Sequence, residues 1–345
     1  MIMPMEKKYC LGNINDDKLI DTLSKKFGSD ESCEWFRQMF TTLAKISADK
    51  AELMDIKLIN NILKELRYAF KIFTRYRDYR KVVMFGSHRI PDKSKEFRIA
   101  EEFAKEISKK GFMVITGGGE GIMEAGNKGA EPGKSFAVNI KLPTEQLPNP
   151  FVRGEKLITL RYFFTRKLIF IKESDATALF PGGFGTHDEA FEVLTLLQTG
   201  KTPPRPLVFV DTKFGWYWRD WLKFIKNNLL GNRLIYENDM HLFKVTNDVD
   251  EAVDFVANFY KNYNSIRYVG SRTILRLNSA LTDHQIGRLN REFKDILTSG
   301  SIESCSPTTE EVKDRDNIDL FRLSLNFNRY NYGRLHELIH EINRF

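Results

Sequence analysis

Cysteine is scarce in this chain: Cys10, Cys33 and Cys305 are the only three in 345 residues. An odd number at such wide spacing forms neither a disulfide framework nor a metal-ligand cluster. A reducing, cytosolic compartment is therefore expected. Long apolar runs are also missing, because charge interrupts them, as Arg166-Lys167 does between Phe164 and Leu168. Nothing is long enough to cross a bilayer as a helix, so no membrane partner is expected. The first residues carry no apolar h-region, so no signal peptide is expected. No stripe of one charge sign stands out either. The 53 basic and 46 acidic residues leave +7, scattered over Lys7-Lys8, Lys25-Lys26, Lys109-Lys110 and the run from Arg75 to Lys81. That pattern suits a solvated surface or small anionic ligands better than a nucleic-acid groove. Repeats and low-complexity tracts are absent too.

What is present is an ordinary globular composition, 42% apolar with 11 prolines, and a length that suits two or three units. Residues 1–78 read as a helical region. Helices are expected over Asp17 to Phe27, from a cap at Ser29-Asp30-Glu31 to about Ser47, and over Ala51 to Tyr76, where Leu53, Ile56, Ile59, Leu63, Leu66 and Phe70 recur at helical spacing. Residues 79–264 alternate strand and helix signals. Strands are expected at Val82 to Phe85, Phe112 to Thr116, Ser135 to Ile140, Ala176 to Phe180 and Leu207 to Val210. Helices are expected at Ser94 to Lys109, Ile122 to Ala130, Tyr162 to Glu173, Ala190 to Gln198, Trp216 to Leu229 and Asp250 to Phe259. Such alternation predicts an α/β fold, a doubly wound, Rossmann-like parallel sheet with helices on both faces. Its ligands bind beyond the carboxyl ends of the strands. Residues 265–345 read as a small βαβα unit: a strand at Thr273 to Leu277, a helix at Asp283 to Leu297, a polar loop over Gly300 to Arg315, a strand at Leu320 to Phe327 and a helix at Tyr332 to Phe345. About 75 residues are few for independent stability, so this unit is expected to pack on the core or across a dimer.

The most informative stretch is Pro181-Gly182-Gly183-Phe184-Gly185-Thr186-His187-Asp188-Glu189, between an apolar run and an amphipathic one. A glycine-rich turn from strand to helix presents backbone N–H groups at a helix N-terminus, which suits a phosphate. The same turn delivers Asp188 and Glu189, and Arg166-Lys167 lies one helix upstream. Phosphate cradle, carboxylate and guanidinium together point to chemistry on a nucleotide. Thr186 and Glu189 alone would make a capping box, but a cap has no need of Pro-Gly-Gly-x-Gly, and glycines let a backbone approach a ligand closely. His187 reads as a packing or surface residue.

Three lookalikes fail in detail. In Gly117-Gly118-Gly119-Glu120-Gly121-Ile122-Met123-Glu124 the third glycine of a dinucleotide fingerprint would fall on Glu124, and in Gly133-Lys134-Ser135 the first glycine of a P-loop would fall on Lys128. His336-Glu337-Leu338-Ile339-His340 matches H-E-x-x-H, but it stands in the last ten residues with no third ligand following, and it is expected to be a solvated helix face. Neither a metal nor a cofactor is expected.

Taken in order, Phe85-Gly86-Ser87, Gly117 to Ala125, Arg166-Lys167 and Pro181 to Glu189 resemble the LOG ("lonely guy") family, long labelled lysine-decarboxylase-like, over about Lys81 to Tyr260. The resemblance implies phosphoribohydrolysis: cleavage of the N-glycosidic bond of a nucleoside 5′-monophosphate, AMP or a related purine nucleotide, to free base and ribose 5-phosphate. It implies Arg166 and Glu189 as the catalytic pair. It places Gly183, Phe184, Gly185 and Thr186 on the 5′-phosphate, and Gly86, Ser87, Gly118, Gly119, Glu145, Lys167, Gly182 and Thr195 among the substrate contacts. It also implies a homodimer or a higher homo-oligomer. The decarboxylase label finds no local signature of a pyridoxal phosphate lysine. This chain carries His187-Asp188 where many members have Leu-Glu. A non-catalytic nucleotide sensor is the alternative reading. A DNA-processing role would need a basic groove and aromatic platform that the scattered charge does not supply.

Overall fold

The computed structural model describes residues 9–142 and 147–345. They pack as two compact units divided between Arg67 and Tyr68. The first unit holds α1 (Ile14–Phe27), α2 (Cys33–Ala48) and the start of α3 (Leu53–Phe73). Asn13 caps α1, its side chain accepting from the amides of Asn15 and Asp16. The cap expected at Ser29 to Glu31 is displaced: Ser32 precedes α2, and its hydroxyl accepts from the Ser29 amide rather than from the helix.

The second unit is built on seven parallel strands: β1 (Lys81–Phe85), β2 (Met113–Thr116), β3 (Ser135–Ile140), β4 (Leu157–Leu160), β5 (Ala176–Leu179), β6 (Leu207–Val210) and β7 (Lys244–Thr246). Their order is β4-β3-β2-β1-β5-β6-β7. From β1 the chain winds one way through α4 (Lys95–Lys109) and α5 (Ile122–Gly129). After α6 (Phe163–Lys172) it returns to β5, beside β1, and winds the other way through α7 (Phe184–Gln198), α8 (Tyr217–Phe224) and α9 (Val249–Asn258). The adjacency of β1 and β5 is therefore the topological switch point, where a crevice opens between diverging loops.

Alternate strand residues serve the two faces. Val82, Met84, Ala176, Ala178, Val208 and Val210 pack on Phe97 and Phe103 of α4, Ile122 and Ala125 of α5 and Val253 and Val256 of α9. On the other face Phe85 meets Phe170 of α6 edge-on at 5.0 Å, and Phe209 packs on Trp218 and Trp221 of α8 at 4.8 and 4.5 Å. The helix expected through Leu229 changes geometry on the way: α8 passes at Ile225 into a π-helical stretch, Ile225–Leu230.

The C-terminal part departs from the expected βαβα pattern. It is a four-stranded antiparallel sheet, β10-β11-β9-β8, made of β8 (Tyr263–Val269), β9 (Arg272–Leu277), α10 (Asp283–Glu292), β10 (Leu297–Ser304), α11 (Thr309–Asp314), β11 (Phe321–Phe327) and α12 (Tyr332–Arg344). The supposed polar loop over Gly300 to Arg315 holds most of β10 and all of α11. Its polarity belongs to a buried ion cluster: Glu311 is fully buried between Arg276 (2.7 Å) and Arg322 (3.2 Å), and Asp316 bridges Arg276 and Arg267.

Candidate active site

The N-terminus of α7 sits at the switch point. The helix begins at Phe184, with Gly183 as its N-cap and no side-chain cap. The capping box of Thr186 and Glu189 is therefore not formed: Thr186 lies inside the first turn, buried, and its amide and that of His187 both donate to Gly183 O, at 3.1 and 3.2 Å. The amides of Gly183, Phe184 and Gly185 have no acceptor among the described residues, as the first turn of any helix dictates. Gly183 and Gly185 keep negative φ, and a Cβ at either would meet nothing within 4 Å. Neither packing nor backbone strain demands glycine there; an open approach to the amides does. Gly182 is different, because a Cβ there would overlap the Thr186 hydroxyl.

The turns after β1 and β2 complete the cleft. Ser87 N donates to Pro181 O (3.1 Å), joining the first turn to the third, and the Ser87 hydroxyl accepts from the Arg89 amide (3.0 Å). Gly86 allows Ile122 to approach, since a Cβ would come within 2.6 Å of that side chain. Buried Asn149 supports the second turn: its amide donates to Gly118 O (2.8 Å) and its side chain to Gly119 O (3.0 Å) and Asn127 Oδ1 (2.9 Å). Asn149 and Asn127 escape sequence reading because an isolated asparagine carries no motif. The resulting cleft holds about 1180 Å³.

Arg166 and Glu189 face the cleft from α6 and α7. The Arg166 guanidinium lies 4.9 Å over the Phe163 ring and 5.6 Å from Phe170, and a Cβ on Gly117 would stand 3.8 Å from its Nη1. Glu189 is 5% exposed. Neither Arg166 Nε nor Glu189 Oε2 has a hydrogen-bond partner; both are buried polar atoms left over by the fold, which marks a place for a ligand. Burial pushes the Glu189 carboxyl up to about 7, against the pull of Lys167 and Arg166 and with the push of Glu192 and Asp188. Burial also lowers Arg166, offset by the charge of Glu189.

Not every residue implied by the resemblance reaches the cleft. Lys167 turns to α7, 2.9 Å from Asp188, 3.0 Å from Glu192 and 3.9 Å from Glu189. Thr195 is exposed farther along α7, its hydroxyl donating to Phe191 O (2.7 Å). Gly118, at φ +75°, packs on Ala137 outside the lining. Glu145 lies outside the described residues. Gly86, Ser87, Gly119, Gly182, Gly183, Phe184, Gly185 and Thr186 do line the cleft, and so do Met123, Asn139 and Phe163, which sequence reading did not single out.

The H-E-x-x-H stretch on α12 is not a solvated face. His336 is 2% exposed, and His340 stacks on Phe255 at 5.2 Å. Burial lowers both imidazoles, to about 3 and about 4, and both rings pack on Phe259, at 5.6 and 5.3 Å. No cluster of three or more metal-ligating side chains occurs among the described residues, nor is any helix there long and apolar enough to cross a membrane.

The class is that of a Rossmann-like α/β protein whose switch-point cleft is bordered by three glycine turns and lined by Arg166 and Glu189. Residues 114–256 match the family described as "Possible lysine decarboxylase", in keeping with the resemblance to the LOG family that the motifs carry. The chain is similar to the "Probable cytokinin riboside 5′-monophosphate phosphoribohydrolase" of Oryza sativa subsp. japonica, 31% identical over 126 residues, 35% of this chain and 50% of that protein. It is 28% identical over 171 residues to the "Cytokinin riboside 5′-monophosphate phosphoribohydrolase" of Mycobacterium tuberculosis, covering 47% of this chain and 86% of that one. The "Pyrimidine/purine nucleotide 5′-monophosphate nucleosidase" of Escherichia coli K12 is 28% identical over 144 residues, 38% of this chain and 31% of that protein. The chain thus spans only about half the length of the rice relative.

Proposed function

We propose that this chain is a nucleoside 5′-monophosphate phosphoribohydrolase, cleaving the N-glycosidic bond to give free base and ribose 5-phosphate, with AMP or a related purine nucleotide as substrate. The observation that carries the reading is the pairing of open amides at Gly183, Phe184 and Gly185 with the buried Glu189 carboxylate, whose Oε2 has no hydrogen-bond partner, less than two helical turns away. The names of the relatives support the reaction type. No lysine lines the cleft among the described residues, so the family's decarboxylase label has no Schiff-base anchor here.

The 5′-phosphate sits on the N-terminus of α7, where unpaired amides and the helix dipole favour an anion. Holding the phosphate fixes the ribose, so binding energy is used for orientation. As the bond from C1′ to the base breaks, the sugar gains oxocarbenium character. Glu189 as carboxylate stabilises that charge and takes a proton from the water that adds to C1′, while the leaving base takes a proton from solvent. A carboxyl near 7 is a better base than an ordinary one and still ionises near neutrality. Arg166 orients the ribose hydroxyls and Glu189. We assign the protein to the cytoplasm and to a homodimer. The dimer is supported by exposed Phe163, Phe164 and Leu168 of α6 and Phe184 and Phe191 of α7, apolar residues on two helices that border the cleft.

Glu189→Gln and Arg166→Ala should each abolish base release from nucleoside monophosphates while circular dichroism stays unchanged. Near-normal turnover by Glu189→Gln contradicts the assignment.

A further inference from the structure

The turn that opens α7 is held from behind by a residue distant in sequence. Tyr217, the first residue of α8, donates its hydroxyl to the carbonyl oxygen of Gly182. The same hydroxyl oxygen lies 2.7 Å from His187 Nε2. A phenol has one proton, and that proton is on the Gly182 bond. The oxygen can therefore only accept from His187, which makes His187 the tautomer protonated at Nε2. His187 Nδ1, which carries no proton in this tautomer, is left buried without a hydrogen-bond partner. Burial lowers the imidazole and raises the phenol, so both stay neutral near pH 7.

Tyr217 is itself placed from the end of β6. Buried Asp211 accepts from the amides of Thr212 (2.8 Å) and Trp218 (3.2 Å), anchoring the start of α8. Gly215 lets that carboxylate in, because a Cβ there would overlap it. The rings of Tyr217 and Trp218 meet edge-on at 4.7 Å, and His187 packs between Trp218 (5.6 Å) and Phe191 (6.4 Å).

A trans peptide points its N–H opposite to its C=O. Three successive carbonyls of the turn are held by protein donors: Pro181 O by the Ser87 amide, Gly182 O by Tyr217, and Gly183 O by the amides of Thr186 and His187. Their peptide partners, the N–H groups of Gly182, Gly183 and Phe184, are thereby aimed to the opposite side. With glycine on both sides, the plane between residues 182 and 183 is the one most free to rotate, and Tyr217 is what stops it.

We propose that Tyr217 is a positioning residue for the substrate's phosphate monoester, holding the Gly182–Gly183 peptide plane so that the Gly183 amide faces the phosphate, with His187 holding Tyr217. The proposal rests on the phosphate reading of the turn. It gives His187, where many relatives carry leucine, a task outside the chemistry.

The test is calorimetric titration of the full-length protein with ribose 5-phosphate, alongside thermal unfolding. Tyr217→Phe should weaken binding about tenfold and His187→Leu about threefold, the range for a lost neutral hydrogen bond. His187→Gln, which can still offer an N–H to Tyr217, should bind like the parent. Unaltered affinity in Tyr217→Phe overturns the clamp. Should Tyr217→Phe not fold, equal affinities of His187→Leu and His187→Gln overturn it instead. A parent protein that does not bind ribose 5-phosphate overturns the phosphate reading itself, and the clamp with it.

Discussion

Glu189 is a buried acid that the fold would be more stable without. Its carboxyl is held at about 7 against an ordinary value of 4.5, chiefly by burial. The raised value means that the native state binds a proton the unfolded chain has already lost. The stabilising effect is complete below about pH 4.5 and is lost as pH rises through about 7. At about 1.4 kcal/mol per tenfold change in proton affinity, keeping this carboxylate costs roughly 3 kcal/mol above pH 8. Glu189→Gln should therefore match the parent in urea unfolding at pH 4.5 and exceed it at pH 8. A difference that does not vary with pH contradicts the burial assigned to this group. The same proton sets activity: kcat/KM for base release should rise with pH through about 7 as the carboxylate forms. Arg166 resists a similar exchange for a different reason, since its guanidinium stays charged although burial works against it.

At the scale of elements, the turn before α7 separates packing glycines from ligand glycines. Gly183→Ala and Gly185→Ala meet no atom within 4 Å and no forbidden φ, so both variants should fold, and Gly185→Ala should gain up to about 1 kcal/mol from helix propensity. Both should lose affinity for ribose 5-phosphate, because the new methyl occupies the approach to the amides. Unaltered affinity would place the phosphate elsewhere. The strand–turn–helix frame here was legible because the apolar runs are short, bounded by glycine and followed by helical periodicity. The start of α7 was not, because Thr186 and Glu189 mimic a capping box and only the backbone shows that Gly183 is the cap. The short strand β7 (Lys-Val-Thr) is too brief for period-two alternation to register. Strand β10 and helix α11 hid behind polarity that the Arg276–Glu311–Arg322 cluster consumes internally. The Tyr217 clamp was illegible in principle, joining positions 35 residues apart through a side chain with no motif.

For the whole molecule, the C-terminal sheet lies in the same compact unit as the seven-stranded sheet. Tyr332 at the start of α12 fills the notch left by Gly200, just past the end of α7, and Gly333 packs on the backbone at Asn238. Gln198 of α7 donates to Asp239 (2.6 Å) in the same region. The helix that presents Glu189 at one end is thus seated on the C-terminal part at the other. The exposed aromatic residues of α6 and α7 should be covered in a homodimer; a monodisperse monomer by light scattering contradicts that assignment. The central claim is tested most directly by incubating the purified protein with a panel of nucleoside 5′-monophosphates, nucleosides and nucleoside triphosphates and following free base by chromatography. The account predicts base release from one or more monophosphates, with equimolar ribose 5-phosphate, and none from nucleosides or triphosphates. No release from any nucleotide, with monophosphates still binding in the cleft, contradicts it and makes the site a nucleotide sensor.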